Sequence, residues 1–94
     1  MTDVVSLAGG AEVVDVSVSD DARIVDRTLA EANESGLLDE DVLVIAIERD
    51  DEIITPKGET EIRAGDLVSL FSRGGVADET LAGFRDPQKA STAG

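Results

Sequence analysis

Six consecutive apolar residues, Val42 to Ile47, lie near the middle of a 94-residue chain and leave few folds open to it. The run is too short for a buried helix and rich in β-branched side chains. It is followed by Glu48-Arg49 and the turn pair Asp50-Asp51. A strand over Val42–Arg49, buried on both faces, is the expectation. Glu52 to Thr55 reads as a short partner strand, closed by Pro56, which cannot donate to a ladder.

The flanking segments add shorter elements. Ala11 to Ser19 alternates, with Val14, Val16 and Val18 on one side and Asp15, Ser17 and Ser19 on the other, as in a half-buried strand. Val25, Leu29 and Ala32 share one helical face, so the spacing predicts a helix over Val25–Glu34, stopped at Gly36. Thr60–Ile62 is a brief extended piece. Ala64-Gly65-Asp66 is a tight turn in which Asp66 bonds nearby amides, and Leu67–Phe71 is the next strand. Val76–Phe84 reads as a second helix, with Asp78 and Glu79 favoured in its first turn by the helix dipole. Residues 1–10 read as a flexible lead-in, 11–85 as the single domain, and 86–94 as a disordered tail. The fold class is α/β of the α+β type. A small, mainly antiparallel sheet carries two helices in the order β-α-β-β-β-α.

Composition excludes several functions. Cysteine and histidine are absent, so thiolate chemistry and the commonest general base and metal ligand are unavailable. There is no phosphate-cradling glycine motif and no EF-hand calcium spacing. Acid pairs such as Asp20-Asp21, Asp39-Glu40-Asp41 and Asp50-Asp51 sit in turns as solvated groups, and nothing converges them on a bond. The reading is a non-enzyme. With 8 basic against 21 acidic residues, a net charge of -13, nucleic acid and anionic membrane surfaces are disfavoured as partners. No apolar run is long enough to insert in a membrane, and no signal peptide is apparent, so the chain is placed in the cytoplasm. The acidity fits either a surface adapted to molar salt, where the Debye length is only about 3 Å, or a cation-binding cluster. Acids spread along the whole chain, with only two lysines, favour the first and a halophilic source.

Two features invite a functional reading. Arg49 closes the apolar strand beside a short hairpin, where it can hold an anion or pair with an acid. Asp66 opens the strand after the Ala64-Gly65 turn. In order along the chain, Val44-Ile45-Ala46-Ile47-Glu48-Arg49, Ile53-Ile54-Thr55-Pro56 and Ala64-Gly65-Asp66-Leu67-Val68 resemble the TrkA C-terminal (RCK-C) domain over about residues 11–84. Asp26-Arg27-Thr28-Leu29 occupies the place of that family's G-K-x-L.

The resemblance implies a regulatory domain that pairs into a homodimer through an exposed apolar surface. Its partner would be a membrane cation transporter or channel subunit, most often for potassium. It implies no cofactor, but an effector such as a cyclic dinucleotide (cyclic di-AMP) or a cation. The ligand contacts it implies are Ile24 and Val25 on the apolar part, Arg49 on an anionic group, and Pro56 on the wall. Two other classes stay open: a ligand-free dimerisation or docking module, and the effector domain of a transcription regulator. Salt adaptation makes a direct prediction: stability to urea rises from dilute buffer to molar potassium chloride, and unchanged stability across that series refutes it.

Overall fold

The computed structural model describes residues 2–85, and the tail expected at 86–94 lies outside the described residues. Five antiparallel strands form one sheet: β1 (Thr2–Ser6), β2 (Glu12–Ser17), β3 (Val42–Arg49), β4 (Glu52–Ile54) and β5 (Leu67–Ser72), in the spatial order β1-β2-β5-β3-β4. Two short helices, α1 (Leu29–Ser35) and α2 (Asp78–Ala82), complete the expected α+β architecture. The element order is the expected one with a strand added in front.

That added strand corrects the reading of residues 1–10. Thr2–Ser6 pairs along its length with β2, and a 3-10 turn at Ala8–Gly10 reverses the chain between them. Gly9 and Gly10 have φ of 73° and 86°, the left-handed region that such a reversal needs.

Strand β3 also differs from expectation. Its backbone is extended over Val42–Arg49, but it is buried on one face only. Leu43 and Ile45 are 61% and 45% exposed, while Val42 and Ile47 belong to the core. An unbroken apolar run hides the period of two that would tell the faces apart. The strand also carries a bulge. Val44 pairs with Leu70 and Ala46 with Ser69, which leaves Ile45 as the extra residue. A two-residue turn, Asp50-Asp51, then leads to β4. Both residues have positive φ, 52° and 65°, as a type I′ hairpin requires.

Helix α1 starts at Leu29, four residues later than expected. Asp26 sits at φ 66° and interrupts any earlier turn. Thr28 then caps the helix: its hydroxyl accepts from the Glu31 N–H at 3.1 Å, and Glu31 accepts from the Thr28 N–H at 2.8 Å. This reciprocal capping box satisfies two of the donors that a helix start leaves open. Helix α2 is shorter than the expected Val76–Phe84, but Phe84 just beyond it is fully buried and anchors the layer. The carbonyls of Gly83 and Phe84 accept from Ile24 and Ser19, tying this end to the segment before α1.

The sheet therefore has two unlike faces. Val14, Val16, Val68, Leu70 and Ile47 point inward and pack with Ile24, Leu29, Ala32, Ile62, Leu81 and Phe84. The register places Val5, Val13, Phe71 and Leu43 in one row on the other face. The hairpin turn supplies a test. Asp51→Gly, which creates the preferred Asp-Gly pair, relieves a left-handed non-glycine residue and should raise unfolding stability by about 1 kcal/mol. Equal or lower stability in a urea titration contradicts the turn assignment.

Candidate functional site

Arg49 is the last residue of β3, and Asp66 directly precedes β5. The neighbouring strands bring these ends together although 17 residues separate them in sequence. The guanidinium meets the carboxylate in a fork: Nε donates to Oδ1 at 2.8 Å and Nη2 to Oδ2 at 2.7 Å. Nη2 also donates to the Glu61 carbonyl at 2.9 Å. The carboxylate accepts a third bond from the Arg63 N–H at 3.0 Å. Gly65, with φ 86°, turns the chain so that its N–H reaches the Val18 carbonyl, while the Asp66 carbonyl accepts from the Val18 N–H.

Asp66 is only 1% exposed, and the Arg49 side chain 27%. Burial alone would raise the Asp66 carboxyl, but the Arg49 guanidinium and the Arg63 amide outweigh it and hold the group below the usual carboxylate range. The hydrogen bond to Asp66 raises Arg49 in turn. Of the two roles open to Arg49 from sequence, pairing with an acid is the one the structure displays. The expected bonding of Asp66 to a nearby amide is present as well.

Two hollows open near the end of α1, and neither is lined by Arg49 or Asp66. The smaller, of about 190 Å³, is lined by Leu29, Asn33 and Leu38 from the α1 region, Val42, Leu43 and Val44 from β3, and Pro56, Lys57 and Gly58. Its loop is well tied. The Lys57 N–H donates to the Thr60 hydroxyl, and the Gly58 and Thr60 carbonyls accept from Ala30 and Leu29 in the first turn of α1. The result is a hollow in which apolar residues stand beside Asn33 and one basic residue, Lys57. The larger hollow, of about 770 Å³, is a groove between the end of α1 and α2. It carries Glu34, Asp39, Glu40 and Glu79 against a single cation, Arg23, so it repels anions. Among the described residues, no three acids stand close enough to hold a metal ion.

The four residues singled out from sequence do not converge in one chain. Pro56 lines the smaller hollow. Ile24 is fully buried in the core, with its N–H on the Gly83 carbonyl. Val25 is partly buried against the same core. Arg49 is engaged by Asp66. Lys57 and Asn33, which flank Pro56 in the hollow, were not among them. Lys57 adjoins Pro56 and is one of only two lysines in an acidic chain, and that scarcity was the available signal.

A comparison with protein families finds one match over most of this structure: the family model described as TrkA-C domain covers residues 13–83.

The clasp generates a prediction with a definite sign. A carboxyl held below its unfolded value, about 3.9, adds stability that is complete above that pH and is lost as pH falls through the folded value. Asp66→Ala should cost about 3 kcal/mol at neutral pH, because it leaves the guanidinium partly buried and unpaired. Its stability should also fall less than that of the natural chain between neutral pH and pH about 2. Parallel acid limbs in the two urea series would remove Asp66 as the titrating group.

Proposed function

Because this chain belongs to the TrkA-C domain family, whose members are regulatory domains associated with ion transport, we propose that it controls movement of potassium or another cation by binding a small anionic effector in the hollow beside Pro56. The observation that carries this reading is that Lys57 joins Leu38, Val44 and Pro56 in the lining of that hollow. Val44, Leu38 and Pro56 suit the face of an aromatic ring. Lys57 suits a phosphate. The acidic groove on the other side of α1 offers an anion nothing comparable.

The size of the hollow bears on the assembly. About 190 Å³ falls short of the roughly 300–1,000 Å³ usual for a complete small-molecule site. We read it as half a site, completed by a second copy of the chain across a two-fold axis. A cyclic dinucleotide such as cyclic di-AMP has two like halves and matches that symmetry. Each protomer would receive one base against its apolar wall and one phosphate near Lys57. Regulation is then a population shift. The ligand binds one dimer geometry better than another and biases an attached transporter or channel subunit by that difference. The domain itself need not enter the membrane, since among the described residues no helix is long and apolar enough to cross one. The reading places it on the cytoplasmic side of its partner.

In this arrangement Arg49 acts indirectly. By holding Asp66 and the Glu61 carbonyl it fixes the end of the loop that begins with Pro56 and Lys57. Isothermal titration of the full chain with cyclic di-AMP in about 1 M potassium chloride, where surface repulsion is largely screened, tests the proposal. The expected result is one ligand per two chains, with affinity reduced about tenfold in Lys57→Ala, the scale of one charge-assisted contact. Absence of heat, or a Lys57→Ala variant that binds as well as the natural chain, refutes it. A dimer indifferent to every nucleotide would instead support a ligand-free dimerisation module.

A further inference from the structure

The helices cover the inner face of the central strands, while Val4 on the inner face of β1 stays 52% exposed, and among the described residues no helix packs on the outer face. Val5, Val13, Phe71 and Leu43 cross four strands there in a single row. Val5 is 56% exposed, and Ile53, on the same face of β4, 69%. The bulge at Ile45 adds another exposed apolar side chain, at 45%. An exposed apolar row of this kind marks an interaction surface. The charged residues at its paired strand positions are all acidic. Asp3 and Asp15 lie side by side in the next row, and Glu48 faces Ile53 in the row beyond. Asp15 is held by the Ser69 hydroxyl, which donates to it at 2.6 Å.

We propose that this outer sheet face docks a segment of another protein in which apolar side chains flank one or more lysines or arginines. Charge decides between occupants. A second copy of the chain stacked on this face would bury Asp3, Asp15 and Glu48 of both copies, with no cation at the paired strand positions of either face. Unpaired carboxylates are costly to bury. The chain's own residues 86–94 include Lys89 but no large apolar side chain to fill the row. A basic, apolar segment from another protein satisfies both parts of the surface: its apolar residues cover the row, and its cations meet the acids in the neighbouring rows. This surface goes beyond the effector reading and does not depend on it.

Two labelled peptides test the proposal on the full chain, one alternating leucine with arginine and one alternating leucine with glutamate. Fluorescence anisotropy is followed in about 0.5 M potassium chloride, where screening reaches within a few ångströms and contact pairs persist. The leucine–arginine peptide should bind at least about tenfold more tightly than the other. Asp3→Lys combined with Glu48→Lys should remove that preference. Val5→Ser combined with Ile53→Ser should weaken binding severalfold. Glu34→Lys combined with Glu79→Lys, in the groove between the helices, should leave it within about twofold. Loss of equal size from the groove reversal shows general charge attraction and overturns the proposal, as does failure of the leucine–arginine peptide to bind. A dimer in sedimentation that Val5→Lys or Ile45→Lys dissolves overturns it in favour of a second copy. None of the substituted residues lines the hollow beside Pro56, so these outcomes leave the effector reading to its own titration.

Discussion

The fork between Arg49 and Asp66 joins the two places where the chain is hardest to hold. Strand β5 lies in the middle of the sheet, yet the chain reaches it only after the hairpin at β4 and the long connection that follows. Asp66 is where that connection meets the strand. Its carboxylate takes two bonds from Arg49 and one from the Arg63 amide, while Arg49 also holds the Glu61 carbonyl. A single ion pair thus fixes the end of β3, the start of β5 and the loop between them. Asp66 is also the acid that burial singles out among the described residues. Burying it is tolerable because every buried side-chain polar atom described has a partner. The other acids can stay in water, so the net charge of the chain and its internal electrostatics are nearly separate matters.

The fold was legible where a residue pattern has one structural meaning. Val14 and Val16 alternate with polar residues, and the strand and its inward face follow at once. Gly36 ends α1 in the left-handed conformation, with φ 84°, as a helix stop should. Patterns with two meanings were misread. The apolar run at 42–47 gives a strand correctly, but it cannot say that one face is left open or that Ile45 bulges out of register. The spacing of Val25, Leu29 and Ala32 defines a face and is silent about where the helix begins. The Thr28–Glu31 box marks that point by sequence alone and was the sharper signal. Strand β1 had no alternation to reveal it, because an edge strand with one partner and an open outer face needs little pattern.

The site was legible to a lesser degree for a related reason. Arg49 was recognisable as a residue needing an anion, but its partner lies across strands whose register cannot be read locally. Ile24 and Val25 carry the family pattern, while their burial comes from contacts with Phe84 and the rest of the core, formed by distant segments. Pro56 keeps its place on the wall of a hollow because a proline at a strand end stays at the edge of the sheet in nearly any packing. Lys57 follows from chain adjacency alone once Pro56 is placed.

Salt separates the three charge arrangements of this molecule. The Arg49–Asp66 fork is largely shielded from solvent, so ions of the medium reach it poorly and the framework keeps its geometry as ionic strength rises. Lys57 and the outer acids Asp3 and Glu48 are exposed, and their attraction to a partner is screened over a few ångströms in molar salt. Contacts at those places must therefore draw their strength from apolar area, with charge acting only at close range to choose among occupants. Both surfaces have that composition. The hollow is lined by Val44, Leu38 and Pro56 with Lys57 as its one charged residue, and the outer face is an apolar row beside a row of acids. If both proposals hold, opposite charge beside apolar surface is what would keep an anionic effector and a basic polypeptide apart, although Leu43 borders both surfaces.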